Sequence, residues 1–340
     1  MKIGIIGLAG SGKATVFDAL TGEISGPEHK MENRVGTKPA PDGRVDALSR
    51  MYNPKKTTYA QVEYYLPGST GQKKDEGAWT QVRDADALIM AVRNFSVYGL
   101  EPPRPRDDFR KLDQELIFSD LVVTEKRLER LEADRRRGKE VKQEELSLLI
   151  ECKTALDAET PLRKFPHLAR APLLRGFAFL SAKPLLVLFN NDDEDDGLPE
   201  VGDLGAREEC QVIRGKLERE LGQMSPEEAA EFLTEFGITS SALDRVIKKS
   251  YEIMGLISFF TVGEDEVKAW TIRRGTPALE AAGAIHSDIQ KGFIRAEVVG
   301  YDDLIAAGSL NEAKKRATLR LEGKTYEVQD GDVVHFRFNV

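Results

Sequence analysis

The opening of the chain constrains its fold more than any other stretch. Ile3 to Ile6 is a short apolar run, the pattern of a buried strand. Gly7-Leu8-Ala9-Gly10-Ser11-Gly12-Lys13 follows, and behind it Val16, Phe17 and Leu20 recur at helical spacing. Gly7, Gly12 and Lys13 keep the spacing of a phosphate-binding loop. The glycines let the backbone curl so that several N–H groups converge on one phosphate chain. The N-terminus of the next helix adds its partial positive charge, and Lys13 is placed to reach the terminal phosphates. The candidate binding set is therefore Gly7, Ala9, Gly10, Ser11, Gly12, Lys13, Ala14 and Thr15, with Lys13 the candidate catalytic group. A glycine-rich turn in an ordinary α/β unit is the bland alternative. One position departs from the motif, which asks for Ser or Thr after the lysine to hold Mg²⁺: Ala14 stands there. Thr15 comes one place late, rotated by about 100° on a helix.

The remainder of the chain is long enough for two or three domains, at 340 residues. A net charge of −8 argues against bulk electrostatic binding of nucleic acid, and no DNA-specific motif is found. No apolar run is long enough to span a membrane, and no signal-peptide pattern precedes the first strand. Cys152 and Cys210 have neither metal nor redox spacing, so reduced, inert thiols in a cytoplasmic protein are expected. Residues 22–44 are rich in glycine, proline and charge and read as a long loop, the place for a nucleotide-dependent switch. A strand is expected over Ala60 to Leu66, a polar loop over Ser69 to Gly77, and a buried strand over Ala87 to Val92. In P-loop GTPases the strand at the first of these places ends in Asp-x-x-Gly, whose Asp holds Mg²⁺ through water. Here Gly68 is present, but Tyr65 occupies the Asp position.

Glu101-Pro102-Pro103-Arg104-Pro105 breaks regular structure and marks a domain boundary. Beyond it Leu112, Leu116, Val123 and Leu131 fall near one helical stripe, and Val141, Leu146, Leu149, Cys152 and Leu156 carry a second helix. The two form a helical hairpin with a charged turn at Arg135–Arg137, where either RNA phosphates or solvent is the neighbour. A second basic group, Arg163, Lys164, His167, Arg170 and Arg175, lies where the hairpin rejoins the body. The next buried strand, Pro184 to Phe189, runs into Asn190-Asn191-Asp192-Asp193. A strand ending in Asn-Lys-x-Asp reads guanine in P-loop GTPases: the Asn braces loops and the Asp accepts both guanine N–H groups. Asn190 and Asp193 keep that spacing, with Asn191 in the lysine place, so both are candidate binding residues; an acidic surface loop is the alternative. Arg214-Gly215-Lys216 sits where such folds close over the base, and Ser225-Pro226-Glu227-Glu228 is a capping box.

From Gly255 onward short strands alternate with turns: Ile257–Val262, Val267–Ile272, Arg295–Val299, Thr318–Leu321, Tyr326–Val328 and Val333–Phe338, with one helix around Pro277 to His286. This is a small β-grasp-like α+β pattern. His286 and His335 are isolated and read as structural.

The order of parts resembles the Obg-like ATPase family of YchF type. The resemblance covers nearly the whole chain and is carried most strongly by Gly255-Leu256-Ile257-Ser258-Phe259-Phe260-Thr261, Lys268-Ala269-Trp270-Thr271-Ile272, Lys291-Gly292-Phe293-Ile294-Arg295-Ala296-Glu297 and the ending from Val328 to Val340. Asn53-Pro54-Lys55-Lys56 and the strand from Lys183-Pro184 are also similar. The resemblance implies an α/β P-loop NTPase with a mostly parallel sheet, an inserted helical hairpin and a C-terminal β-grasp (TGS) domain. The expected boundaries are 1–103 and 166–254 for the two parts of the nucleotide domain, 104–165 for the hairpin and 255–340 for the TGS domain. It also implies a cytoplasmic protein that binds ATP or GTP with Mg²⁺ and associates with ribosomes or RNA. Family members carry Ser and Asp where this chain has Ala14 and Tyr65, and their base motif usually ends in Glu where Asp193 stands. No switch threonine is recognisable between Gly22 and Gly36, and no metal-ligand residue is assigned. Two readings follow: a slow ATPase or GTPase, or a non-hydrolysing nucleotide-binding scaffold for RNA or a protein partner. A metabolic kinase is disfavoured by the hairpin and the C-terminal module.

Overall fold

A computed structural model describes residues 2–23, 32–68, 81–99, 101–235 and 242–339. The chain divides into two compact units, Met1–Lys38 with Glu63–Val246, and Pro39–Val62 with Ile247–Val340.

The first unit is built on a six-stranded sheet in the order β2-β4-β1-β5-β6-β7. Its strands are β1 (Lys2–Ile6), β2 (Arg34–Pro39), β4 (Gln61–Leu66), β5 (Ala87–Asn94), β6 (Leu185–Asn191) and β7 (Glu209–Ile213). β1 pairs in parallel with β4 and β5, β5 with β6, and β6 with β7. Such a sheet is covered on both faces, which is why Ile3, Ile5 and Leu185–Phe189 read as continuous apolar runs rather than alternating ones. The turn after β1 enters α1 (Lys13–Thr21), which ends on Gly22 in the left-handed region.

β2 corrects the long-loop expectation over residues 34–39. It is an edge strand, and Gly36 explains how it closes on α1: a Cβ there would lie 2.4 Å from Thr21 Cγ2. Arg34 reinforces the contact, meeting buried Asp18 at 2.5 Å with its guanidinium 4.2 Å above the Phe17 ring. The polar loop expected over Ser69 to Gly77 lies outside the described residues, as do residues 24–31 of the first loop.

The helical hairpin forms as the stripe implies: α3 (Pro105–Arg136) and α4 (Gln143–Asp157) bury Leu116, Leu131, Leu149 and Cys152. Its root is fixed by Asp120, a wholly buried carboxylate. Asp120 accepts from the Leu180 and Ser181 amides at 2.9 and 2.6 Å and from Arg83 at 3.3 Å. Burial pushes its pKa upward, against the pull of those donors. Arg163, read from sequence as part of a basic surface group, is instead buried against Asp113 and Glu208 at 2.8 and 3.0 Å. A lone guanidinium could not be buried there; two carboxylates distant in sequence make it tolerable. Burial also raises the Cys152 and Cys210 thiols to about 12 and about 11, so both stay protonated and unreactive.

The remaining helices of this unit include α5 (Gly215–Leu221) and α6 (Pro226–Glu235). The capping box at α6 forms reciprocally: Ser225 N donates to Glu228 at 2.9 Å, and Glu228 N to Ser225 Oγ at 3.3 Å.

The second unit holds a six-stranded sheet in the order β11-β10-β12-β8-β9-β3. β8 (Leu256–Thr261) and β9 (Glu266–Arg273) form an antiparallel pair, and a helix at Ala278–Ile285 leads to β10 (Phe293–Gly300). β11 (Arg320–Glu322) takes the edge, and β12 (Asp332–Phe338) returns to the middle, parallel to β8 and antiparallel to β10. Two strands, a helix, then a central parallel return strand is the β-grasp topology. Two sequence expectations change here. Tyr326–Val328 makes one isolated bridge, Pro277 to Glu327, instead of a strand. Helices at Tyr301–Ala307 and Leu310–Lys315 precede β11; the Ser309 side chain caps the second by accepting from Glu312 N at 3.2 Å.

Pro39–Val62 belongs to this unit. β3 (Lys56–Thr58) pairs in parallel with β9, and α2 (Gly43–Tyr52) buries Val45 and Leu48 beside Phe260 and Val267. Arg44 clamps the segment, bonding Asp42 and reaching Asp330 at 3.1 and 3.2 Å. Among the described residues no helix is long and apolar enough to cross a membrane.

Candidate functional site

The turn between β1 and α1 is shaped by three glycines, each for a different reason. Gly10 and Gly12 have φ of +79° and +82°, a region that side chains strain to enter. Gly7 is hemmed in: a Cβ there would lie 2.5 Å from both Ala91 O and Ser11 Oγ. At Gly12 a Cβ would strike Asn190 Nδ2 at 2.2 Å. The turn holds itself by Ser11 N donating to Leu8 O at 3.2 Å. Lys13 Nζ folds back to donate to Gly7 O at 2.7 Å and Leu8 O at 3.0 Å. Gly12 offers α1 no side-chain cap, and the N-terminus of a helix is where an anion is favoured. Ser11 Oγ is buried and has no hydrogen-bond partner among the described residues.

Asn190 ties this turn to a second one. It sits at the end of β6, 4% exposed. Its amide nitrogen donates to Ser11 O at 3.2 Å, and its amide oxygen accepts from Gly215 N at 3.0 Å. Gly215 is required by the approach, since a Cβ would lie 2.7 Å from Asn190 Oδ1. One buried side chain thus joins three pieces of backbone far apart in sequence. Asp193 lies at the rim of the same corner, its carboxylate 3.2 Å from Lys216 Nζ and its carbonyl 3.4 Å from Arg214 Nη1. Asn191, in the place of the motif lysine, turns away from the glycine turn. It donates to Gly197 O at 2.8 Å and accepts from Asn94 at 2.9 Å.

The structure therefore brings together Gly7, Gly12, Ser11, Lys13, Asn190 and the Arg214–Lys216 turn, with Ala9 and Gly10 exposed on the outer bend. The metal side of the motif looks different. Ala14 is exposed at the start of α1 and carries no oxygen, and Thr15 follows half-buried. Tyr65 is a core residue, 6% exposed, packed with Ile6, Val82 and Met90. Its hydroxyl donates to Gln81 Oε1 at 3.1 Å, Lys2 Nζ lies 4.0 Å over its ring, and burial raises its pKa. Gly68 N donates to Asn33 at 2.9 Å. Among the described residues no group of three or more His, Cys, Asp or Glu is arranged to hold a metal ion. The feature that sequence reasoning missed is the pair of cations on Asp193; their placement on either side of an essential glycine was the available signal.

A mostly parallel sheet with a glycine-lined turn at its first strand, braced by a strand-end asparagine, defines a P-loop NTPase fold. Comparison with known proteins narrows the class. The YchF-GTPase C-terminal family model, described as "Protein of unknown function (DUF933)", matches residues 256–339. The chain is 38% identical over its whole length to the whole of a Bacillus subtilis protein described as the ribosome-binding ATPase YchF. It is 33% identical to the one from Escherichia coli O157:H7, covering 100% of this chain and 99% of that protein. Among solved structures, the Schizosaccharomyces pombe YchF GTPase aligns with a TM-score of 0.85 at 27% identity, over 99% of this chain and 97% of that one. The chain belongs to the YchF family.

Proposed function

We propose that this chain is a purine-nucleotide-binding protein of the Obg-like type that works with the ribosome in the cytoplasm and hydrolyses its nucleotide slowly or not at all. The ribosome-binding ATPase relatives motivate the partner, and the glycine turn motivates the ligand. The observation that carries the binding half is the Asn190 bridge, which ties the turn of Gly7 to Lys13 to the Gly215 backbone. Such pre-organised amides favour a polyphosphate without reorganisation. ATP and GTP are both candidates, Asp193 being the guanine-type acceptor.

The weak-hydrolysis half rests on Ala14 and Tyr65. Phosphoryl transfer depends mainly on neutralising charge at the transferred group, and Mg²⁺ supplies much of that when bound. The residues here do not fit the usual direct ligand, because Ala14 has no oxygen. Tyr65 occupies the core rather than offering a carboxylate. No step is therefore assigned to a metal. Residues 1–38, 63–103 and 166–246 act as the nucleotide domain, 104–165 as an arm, and 247–340 as a TGS-type module completed by 39–62, which the expected boundaries had assigned to the nucleotide domain; the exposed Arg135–Arg137 turn of the arm is the candidate RNA contact.

A second reading, a non-hydrolysing scaffold, is favoured specifically by Tyr65, whose ring is integral to the packing. Calorimetric titration with ATP, GTP and their diphosphates, with and without Mg²⁺, tests the binding half. Phosphate release in excess Mg²⁺ tests the other: turnover matching that of a family member with Ser and Asp at these positions overturns it, and no detectable release selects the scaffold.

A further inference from the structure

We infer that Lys216 sets the base selectivity of this site by occupying the Asp193 carboxylate, so that the corner accepts both purines instead of selecting guanine. The inference rests on the nucleotide-binding reading above and names a determinant within it.

The geometry begins with Gly215, whose amide is pinned to Asn190 at 3.0 Å. That bond fixes the backbone on which Arg214 and Lys216 are the immediate neighbours. Both then meet Asp193: Lys216 Nζ lies 3.2 Å from Oδ2, and Arg214 Nη1 donates to the Asp193 carbonyl at 3.4 Å. The two cations hold the segment from opposite ends, one by its side chain and one by its main chain. Asp193 retains its second carboxylate oxygen for another donor.

An uncovered carboxylate presents two acceptors side by side. Guanine answers with two donors, N1–H and the 2-amino group, whereas adenine has no such pair on that edge. That mismatch is what lets a bare Asp reject adenine, since unpaired polar groups weigh heavily against the wrong base. An Asp–Lys pair presents one acceptor beside one donor. Adenine offers the complementary arrangement with its 6-amino group and N1, and guanine offers it with N1–H and O6. Guanine binding in the bare-carboxylate mode must first displace the ammonium, a cost that adenine does not bear. Specificity is a difference of affinities, and here the lysine removes the difference. Because the pair is exposed, its strength is that of a surface ion pair, which corresponds to about a 1.5-fold to fivefold effect on the affinity ratio.

The test is calorimetric titration of the full chain with GDP and ADP, without Mg²⁺, for the native protein and for Lys216→Ala and Lys216→Gln. The native protein is expected to bind both diphosphates with similar affinity. Either substitution is expected to tighten GDP relative to ADP by about 1.5-fold to fivefold. Raising the salt concentration screens an exposed pair, so it is expected to move the native ratio in the same direction and leave the Lys216→Ala ratio in place. Both nucleotides binding to all three proteins with an unchanged ratio overturns the role of Lys216 and leaves the nucleotide-binding reading standing. No binding of either nucleotide to the native protein overturns both.

Discussion

The two sides of the glycine turn have been treated differently. On the side of Asn190 every piece fits: Gly12 and Gly215 leave room for its amide, and its two polar ends reach Ser11 and Gly215. On the side of Ala14 and Tyr65 the oxygen ligands of the motif are replaced by a methyl group and a packed ring. On the function proposed above, gripping a phosphate chain and cleaving it are separable. Gripping depends on backbone shape, which needs small residues and one brace. Cleaving depends on a few oxygen atoms that contribute little to the fold, so they can be exchanged while the turn persists.

Four experiments bear on this contrast. The largest effect is expected for Asn190→Ala. It leaves the Ser11 carbonyl and the Gly215 amide buried without their partner, at about 1–3 kcal/mol for each orphaned group. The unfolding midpoint in urea should fall and nucleotide affinity should fall with it; stability lost at unchanged affinity would break the link between brace and grip. Lys13→Ala comes next. A charge-assisted contact is worth about 1.5–3 kcal/mol, so affinity for a triphosphate should drop by roughly tenfold or more while the melt changes little. Titration by calorimetry distinguishes this from general unfolding. Ala14→Ser should alter phosphate release in excess Mg²⁺ only slightly, because Tyr65 still offers no carboxylate. Full turnover from that one change would mean that the two sides are not separable in the way described.

The smallest effect concerns Tyr65 itself. Burial raises its pKa above the ordinary 10.0, so the folded state keeps a proton that the unfolded state gives up. Its contribution to stability is complete below that ordinary value and is lost as pH rises through the folded one. Tyr65→Phe should therefore show a shallower loss of stability in alkaline solution than the native chain, read from urea midpoints across that range.

How much of this was legible in the residues follows the range of the interactions. The strand, turn and helix at Lys2–Thr21 are local, and their glycine spacing announces them. Asn190 was legible because a strand-end position and a spacing to Asp193 fix its role. The capping box at Ser225 is likewise contained in four residues. What escaped depended on distant partners. Arg163 looked like surface charge because Asp113 and Glu208 stand far away in sequence. β2 looked like loop because Gly36 and Pro39 punctuate it, and the fit of Gly36 against Thr21 is invisible before folding. The helix at Leu310–Lys315 had a readable signal in Ser309 and Glu312, but it is too short to show a periodic stripe.

The pairing of β3 with β9 has a consequence for how the chain is made. Lys56 and Glu266 are direct neighbours, yet about two hundred residues separate them along the polypeptide. During synthesis the early strand emerges long before the one it must join, and closing so wide a loop slows assembly more than it weakens the finished product. A fragment that starts at the sequence boundary near Gly255 would lack α2 and β3, exposing the apolar surface of Phe260 and Val267 that they cover. The C-terminal unit is thus not a detachable cassette: β3 must await β9, and a nascent chain interrupted before then carries an unsatisfied strand that invites capture or misassembly.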